Sequence, residues 1–273
     1  MGILLSSGCI HNKKTGCNIQ LLRECMMRLP ISGIELMIMR RWYDDLSRIN
    51  EELLKLDIPI PIVHIEKSVG EKLSRGDNDA AIQAFERNTT IARSVNAKKV
   101  VLHLWHGPGS DRNLQNNILQ LSKLRTIAIN AGVELLVENI PCENVDEIGL
   151  LIEISTQYPE QEFVFDTKNA AFCDNIHENK LQYLFSETLI SHIHLNDYCG
   201  EPRKWENVRN YKLPGDGDID FNMIFRKLNS NSYQGQFTIE APIANHEGEI
   251  DYPKIHDKVE QIGKSIAAEL FTT

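Results

Sequence analysis

Six ionisable or metal-capable side chains close apolar runs along this 273-residue chain. In order they are His64 in IVHIE, His103 in VVLHLWH, Glu138 in LLVEN, Asp166 in FVFDTKN, His194 in HIHLND and Glu240 in FTIEAP. A charged group at the end of an apolar strand is costly to bury unless it is paired or bound to a metal. Glu138, Asp166, His194 and Glu240 combine three carboxylates with one imidazole, a donor set that suits one divalent ion. Mn or Zn fits best, and Mg, Co or Fe is compatible. The competing reading is a buried salt-bridge network, but Lys168 is the one counter-charge close by in sequence. A lone His near a strand end is more often a hydrogen-bonded core or rim residue, and that alternative stands beside a substrate or metal contact for His64 and His103. His192 and His194 lie two apart on one strand and share a face, with His194 nearer the mouth and His192 one layer deeper.

Such residues meet only if the chain brings these strand ends together. Short, β-branched apolar runs recur at 3–7, 33–38, 60–65, 99–105, 133–139, 162–167, 190–196 and 236–241. Several are apolar almost throughout, as strands of a parallel sheet buried on both faces must be. Between them lie helix-period segments. Residues 111–130 place Leu114, Ile118, Leu121 and Leu124 on one stripe, with Ser110 or Asp111 as the N-cap. Residues 220–229 place Phe221, Ile224, Phe225 and Leu228 likewise behind Asp220, and the last segment places Ile255, Val259, Ile262 and Ile266. Eight strand–helix units in about 250 residues predict a single (β/α)8 TIM barrel over residues 1–273, with its active site at the C-terminal mouth. No GxGxxG or GxxxxGK[ST] follows a strand, so a nucleotide-binding open sheet lacks its usual signature. The one long irregular segment, 197–217, is expected to cover the site.

Composition narrows the function classes. A net charge of −9 and no basic stripe argue against nucleic acid as the partner. No stretch approaches the ~20 apolar residues a membrane span needs, and no signal peptide is visible. The six cysteines, Cys9, Cys17, Cys25, Cys142, Cys173 and Cys199, form no CxxC pair and read as reduced thiols of a cytoplasmic protein. Met1-Gly2-x-x-x-Ser6 fits a myristoylation pattern, and Asn88-Thr89-Thr90 a glycosylation sequon; a first strand and a helix explain them more simply. A homo-oligomer is compatible with all of this.

The motifs VEN (137–139), FDT (165–167), HIHLND (192–197), LPGDGDIDF (213–221) and TIEAP (238–242) together resemble the xylose isomerase-like barrels: sugar isomerases and epimerases, inosose dehydratases and the related endonuclease IV enzymes. The resemblance spans nearly the whole chain. It implies a metal on Glu138, Asp166, His194 and Glu240, with Glu138 and Glu240 doubling as acid and base. The sequence also departs from the family. Where Asp-x-x-His is frequent, Asn169 stands, a poor metal ligand. Where the endonucleases carry Asp-x-His, this chain has Arg209-Asn210-Tyr211. His64 and His103 match endonuclease zinc positions, so that trinuclear site is incomplete and one metal is expected.

The expected function is isomerisation or epimerisation of a sugar, sugar phosphate or polyol. One glutamate removes the proton next to a metal-chelated carbonyl, an enediolate forms, and the other glutamate returns a proton. His64, His103, Asn169, Arg203 and Trp105 are the candidate substrate contacts, with Lys204, Arg209 and Trp205 behind them; a solvated loop face and core packing are the plain alternatives. Three other readings stay open: an inosose-type dehydratase, a zinc phosphodiesterase of abasic DNA, and a non-catalytic sugar-binding barrel.

Overall fold

Each of the eight apolar runs forms a strand in the computed structural model, which describes residues 2–11, 14–16 and 18–270. The strands are β1 (Ile3–Ser6), β2 (Gly33–Met37), β3 (Ile62–His64), β4 (Lys99–Leu102), β5 (Glu134–Glu138), β6 (Glu162–Asp166), β7 (Leu189–Leu195) and, after a short antiparallel ribbon of β8 (Asp197–Tyr198) and β9 (Tyr211–Lys212), β10 (Gln236–Ile239). β1 to β7 pair in parallel in chain order, and β10 closes the circle between β7 and β1. The fold is a single (β/α)8 barrel, as expected. The fourth run ends sooner than the sequence predicts, which leaves His103 and Trp105 in the loop beyond β4.

Side chains on a strand alternate between two faces, so residues two apart share the barrel interior. Leu4, Ile62, Val101, Leu136 and Val164 fill one apolar interior layer. Two residues beyond Ile62, Val101, Leu136 and Val164 in the chain come His64, His103, Glu138 and Asp166. The spacing that puts an apolar plug in the barrel therefore also puts a polar ring above it. On β7 the phase depends on an irregularity: Ile190 pairs with Phe163, but His192 pairs with Val164 and His194 with Asp166. Ser191 is the extra residue. Without that bulge Ser191 and Ile193 would take the inward places, because a slip of one residue exchanges the two faces.

The helices lie outside. α5 (Leu114–Ala131), α9 (Phe221–Ser230) and α10 (Tyr252–Leu270) bury the predicted stripes, Phe221 only in part. Asp220 caps α9, accepting from Met223 N at 3.0 Å. The expected cap of α5 is corrected: Ser110–Asn113 form a 3-10 turn, Asn113 precedes the helix, and Asp111 instead accepts from the Asn144 backbone across the loop. Asn88, the sequon residue, is fully buried on α4 (Asn78–Ser94), accepting from Glu66 N and donating to Ala84 O. Met1 and Cys17 lie outside the described residues; the other five cysteines are free, and of these Cys199 alone is exposed. No described helix is long and apolar enough to cross a membrane.

The segment after β7 is held by one carboxylate. Asp197 Oδ2 accepts from Gly215 N and Gly217 N at 2.8 and 2.9 Å, and Oδ1 from Tyr198 N and Ile219 N. The LPGDGDID stretch wraps around this side chain, and a Cβ on Gly217 would overlap it.

Away from the mouth, Glu147 opens α6 (Glu147–Gln157) with its side chain fully buried. Oε1 accepts from Asn175 Nδ2 at 2.7 Å, and burial pushes the carboxyl from the usual 4.5 up to about 7. A raised carboxyl pKa contributes stability that is fully present below about pH 4.5 and is lost as pH rises through 7. Glu147→Gln is therefore expected to match wild type near pH 4.5 and to exceed it at pH 8 by up to about 3 kcal/mol, at 1.36 kcal/mol per pKa unit. Urea denaturation at the two pH values checks this; a gap that does not widen toward pH 8 contradicts it.

Candidate metal centre

His194 stands at the centre of the polar ring. Its Nδ1 lies 3.4 Å from Glu138 Oε1, 3.5 Å from Glu240 Oε2 and 3.9 Å from Asp166 Oδ2. Its Nε2 faces Glu35 Oε1 at 3.0 Å. A carboxylate accepts, so Nε2 carries a hydrogen, and Nδ1 is the atom that faces the three other carboxylates, where a proton or a metal ion can sit. Nδ1 is buried and has no hydrogen-bond partner, and neither has Glu240 Oε1. One atom from each of Glu138, Asp166, His194 and Glu240 falls within 4.8 Å of the others. Ligands at about 2.1 Å from one ion stand roughly 3–4 Å apart, so this set fits a divalent cation. The four residues singled out in the sequence are thus brought together.

The electrostatics also ask for a cation. Burial opposes a charge on His194, yet Glu35, Glu240 and Glu138 outweigh it and hold the imidazole pKa well above its ordinary value. A proton or a metal ion at Nδ1 supplies the positive charge those carboxylates require, and the two compete. Burial, with Glu138 beside it, pushes Asp166 up to about 6. Glu240 is pushed up to about 7 by burial and by Glu138, against the pull of His194. Glu138 goes the other way: burial is outweighed by His103 and His194, which hold it well below the usual carboxylate range.

A family model described as xylose isomerase-like TIM barrel matches residues 28–268. The chain belongs to that family. Among curated relatives it is 29% identical over 138 residues to an inosose dehydratase of Clostridium perfringens, covering 44% of each chain. The match thus spans less than half of that relative. Among solved structures it is similar to a D-tagatose 3-epimerase-like protein (TM-score 0.69, 18% identity, 99% and 98% of the two chains). It is equally similar to the IOLI protein with a bound zinc atom (TM-score 0.68, 15% identity, 99% and 98% covered). At these identities the likeness to the solved structures is one of fold.

The other members of this xylose isomerase-like ring divide by layer. One layer down, Glu35 is fully buried and accepts from His192 Nε2 at 2.8 Å, His194 Nε2 at 3.0 Å and Thr238 Oγ1 at 2.7 Å. The sequence reading missed Glu35 because it sits mid-strand in GIELM rather than at a strand end. The available signal was a lone carboxylate in an otherwise apolar strand. His192 lies in this deeper layer, as predicted.

On the other side of Glu138, His64 Nε2 and His103 Nε2 face Oε2 at 3.2 and 2.9 Å, a second group able to hold a cation. Burial depresses His103, whereas Glu138 and the other carboxylates overcome burial at His64 and raise it to about 8. Much of the compensation for Glu138 is therefore histidine rather than Lys168. Asn169 Nδ2 donates to Glu138 Oε1 at 3.3 Å, so this amide orients the carboxylate.

Arg203 is exposed in the loop, with φ +60 and its backbone N–H on Phe172 O. Lys204 pairs with Glu201. Trp105 is fully buried in the main core and donates Nε1–H to Ile140 O at 2.8 Å, so an apolar wall for a sugar is corrected to packing. Trp205 packs on Phe172, ring centroids 5.4 Å apart. Tyr211 lies over Lys168, a buried lysine that the sequence offered only as a counter-charge.

Proposed function

We propose that this chain is a divalent-metal-dependent enzyme that isomerises or epimerises a carbohydrate by moving a proton on the carbon next to a carbonyl. The observation that carries this reading is the buried Nδ1 of His194 facing Glu138, Asp166 and Glu240, with one ligand atom of each of the four within 4.8 Å of the others. A divalent ion there supplies Lewis-acid polarisation of a carbonyl and a template for the neighbouring hydroxyl.

The chain's own residues do the rest. Glu240, whose carboxyl burial and Glu138 raise to about 7 in the metal-free site, is the candidate to take or give a proton, and Asn196 Nδ2 orients it from 3.4 Å. Glu138 stays ionised between His103 and His194, so the two glutamates carry different protonation states at one pH. Glu35 keeps His194 in the tautomer that frees Nδ1. The likeness to a D-tagatose 3-epimerase-like protein supports a carbohydrate as substrate. The inosose dehydratase similarity favours a second reading, in which the same proton removal is followed by loss of a hydroxyl β to the carbonyl. Either reaction suits the cytoplasm, where an exposed thiol such as Cys199 persists reduced.

Both readings begin with the same step, so exchange of substrate C–H with solvent deuterium tests them together. The Mn- or Zn-loaded chain is expected to exchange one C–H of at least one ketose, ketose phosphate or inosose. Loss of exchange on chelation, restored by metal, completes the expected result. No exchange across the three classes, with metal bound, contradicts the proposal. A water-loss product from an inosose identifies the lyase; an unchanged formula identifies the isomerase or epimerase.

A further inference from the structure

Lys168 is among the largest fully buried side chains, with 1% of its surface exposed. It follows Asp166 by two residues, at the start of α7 (Thr167–Phe172). Its Nζ carries three donors. Among the described residues its one hydrogen bond is to Asn169 Oδ1, at 3.3 Å, and it forms no salt bridge. Burial pulls its pKa down against the opposing pull of Asp166, Glu138 and Glu240 among others, the carboxylates that also face His194. The Tyr211 ring covers it from the loop at 4.4 Å, and the Phe172 ring lies 5.6 Å away.

A buried ammonium with one neutral acceptor is a poor device for stability, because its desolvation is compensated neither by an ion pair nor by full hydrogen bonding. Structural lysines elsewhere in this chain look different: Lys99 and Lys258 each meet a carboxylate and keep part of their surface in water. Lys168 is linked to the reaction centre by one amide. Asn169 accepts from Lys168 through Oδ1 and donates to Glu138 Oε1 through Nδ2, so Nζ stands one side chain away from a proposed ligand and base. Tyr211 holds the ammonium by its π face without using up donors, since a ring offers no lone pair.

We propose that Lys168, capped by Tyr211 and tied to Asn169, is a specificity-determining residue that donates to an oxygen substituent of a polyoxygenated substrate held at the Glu138 side of the metal centre. This rests on the carbohydrate reading of that centre. Substrate oxygen supplies the acceptors that the chain does not, and a substrate lacking oxygen at that carbon leaves the ammonium without them, which is how a polar pocket rejects an analogue. The Asn169 position thereby serves two groups, orienting Glu138 and Lys168 together.

The test uses the metal-loaded full chain and the exchange assay, with wild type, Lys168→Met and Lys168→Gln. Methionine keeps the volume and removes the charge. Lys168→Met is expected to raise KM for exchange about 10- to 100-fold with kcat within about threefold, the pattern of lost binding shared by ground and transition states. Its Tm is expected to stay level or rise by a few degrees, since an unpaired buried charge is gone. Lys168→Gln, which retains a donor, is expected to fall between. The deoxy analogue of the substrate that wild type binds worst is expected to be bound equally by wild type and Lys168→Met. A KM within twofold of wild type for both variants overturns the Lys168 assignment and leaves the carbohydrate reading standing. So does a fall in Tm of many degrees with KM unchanged in the folded fraction. Absence of exchange in wild type overturns both.

Discussion

The Glu138→Ala, Glu240→Ala double variant is expected to lose at least about 10²-fold in affinity for Mn or Zn while keeping its fold. Loss of a residue that only orients a ligand costs about 10–100-fold, so two direct ligands together cost at least the product of such steps. The geometry leaves no substitute. Asp166 Oδ1 caps α7 through Asn169 N, and its Oδ2 accepts from Asn196 Nδ2 at 2.6 Å, so it cannot swing to replace a missing carboxylate. His194 Nδ1 stays in place but alone. The barrel is expected to form because both glutamates stand at its mouth, above the apolar layer of Leu4, Ile62, Val101, Leu136 and Val164, though stability falls as His64 and His103 lose the Glu138 carboxylate. Removing Glu240 also relieves its repulsion with Glu138 and Asp166.

Glu35→Ala is expected to act in the opposite sense, damaging stability first. Its carboxylate satisfies two imidazole N–H groups and one hydroxyl at zero exposure. Removing one partner of a buried charged network costs about 3–5 kcal/mol, which for a chain of ordinary stability is a large part of the whole. Metal affinity is expected to fall a further 10- to 100-fold, because His194 loses the acceptor that fixes its tautomer. His194 and His192, working against burial, hold the Glu35 carboxyl well below its usual range. A depressed carboxyl stabilises above its unfolded pKa and loses that contribution as pH falls through the folded one. The stability gap between wild type and Glu35→Ala is therefore expected to be full at pH 7 and to narrow on acidification below about pH 4.5. Glu35→Gln separates the effects: one amide oxygen can still accept, so stability drops less, while the amide N–H opposes a second imidazole N–H. Chemical denaturation with and without metal measures both.

The barrel was legible because a parallel sheet buried on both faces must be written in short apolar runs, and eight of them stand out. The four proposed ligands were legible for a related reason. A charge two residues beyond an inward apolar side chain, as Glu138 follows Leu136 and Asp166 follows Val164, shares its face. What depended on contacts between distant strands was not legible. Glu35 looks like any charge in GIELM until β7 places two histidines across the barrel from it. The bulge at Ser191, which decides whether histidines or Ile193 face inward, is fixed by pairing with Phe163 and Val164 rather than by local sequence. Trp105 read equally well as wall or core, and the early end of β4 settled its place. Lys168 read as a counter-charge because the sequence cannot show that it meets an amide and two rings instead of a carboxylate.

Stoichiometric titration of the metal-freed chain with Zn and with Mn, wild type beside the Glu138→Ala, Glu240→Ala double variant, tests the metal centre most directly. A tight equivalent is expected in wild type, its apparent affinity weakening as pH falls through 7 and 6 because protons compete for Glu240 and Asp166, and that equivalent is expected to be lost in a double variant whose far-UV circular dichroism matches wild type. Binding by the double variant at full stoichiometry and wild-type affinity would contradict it.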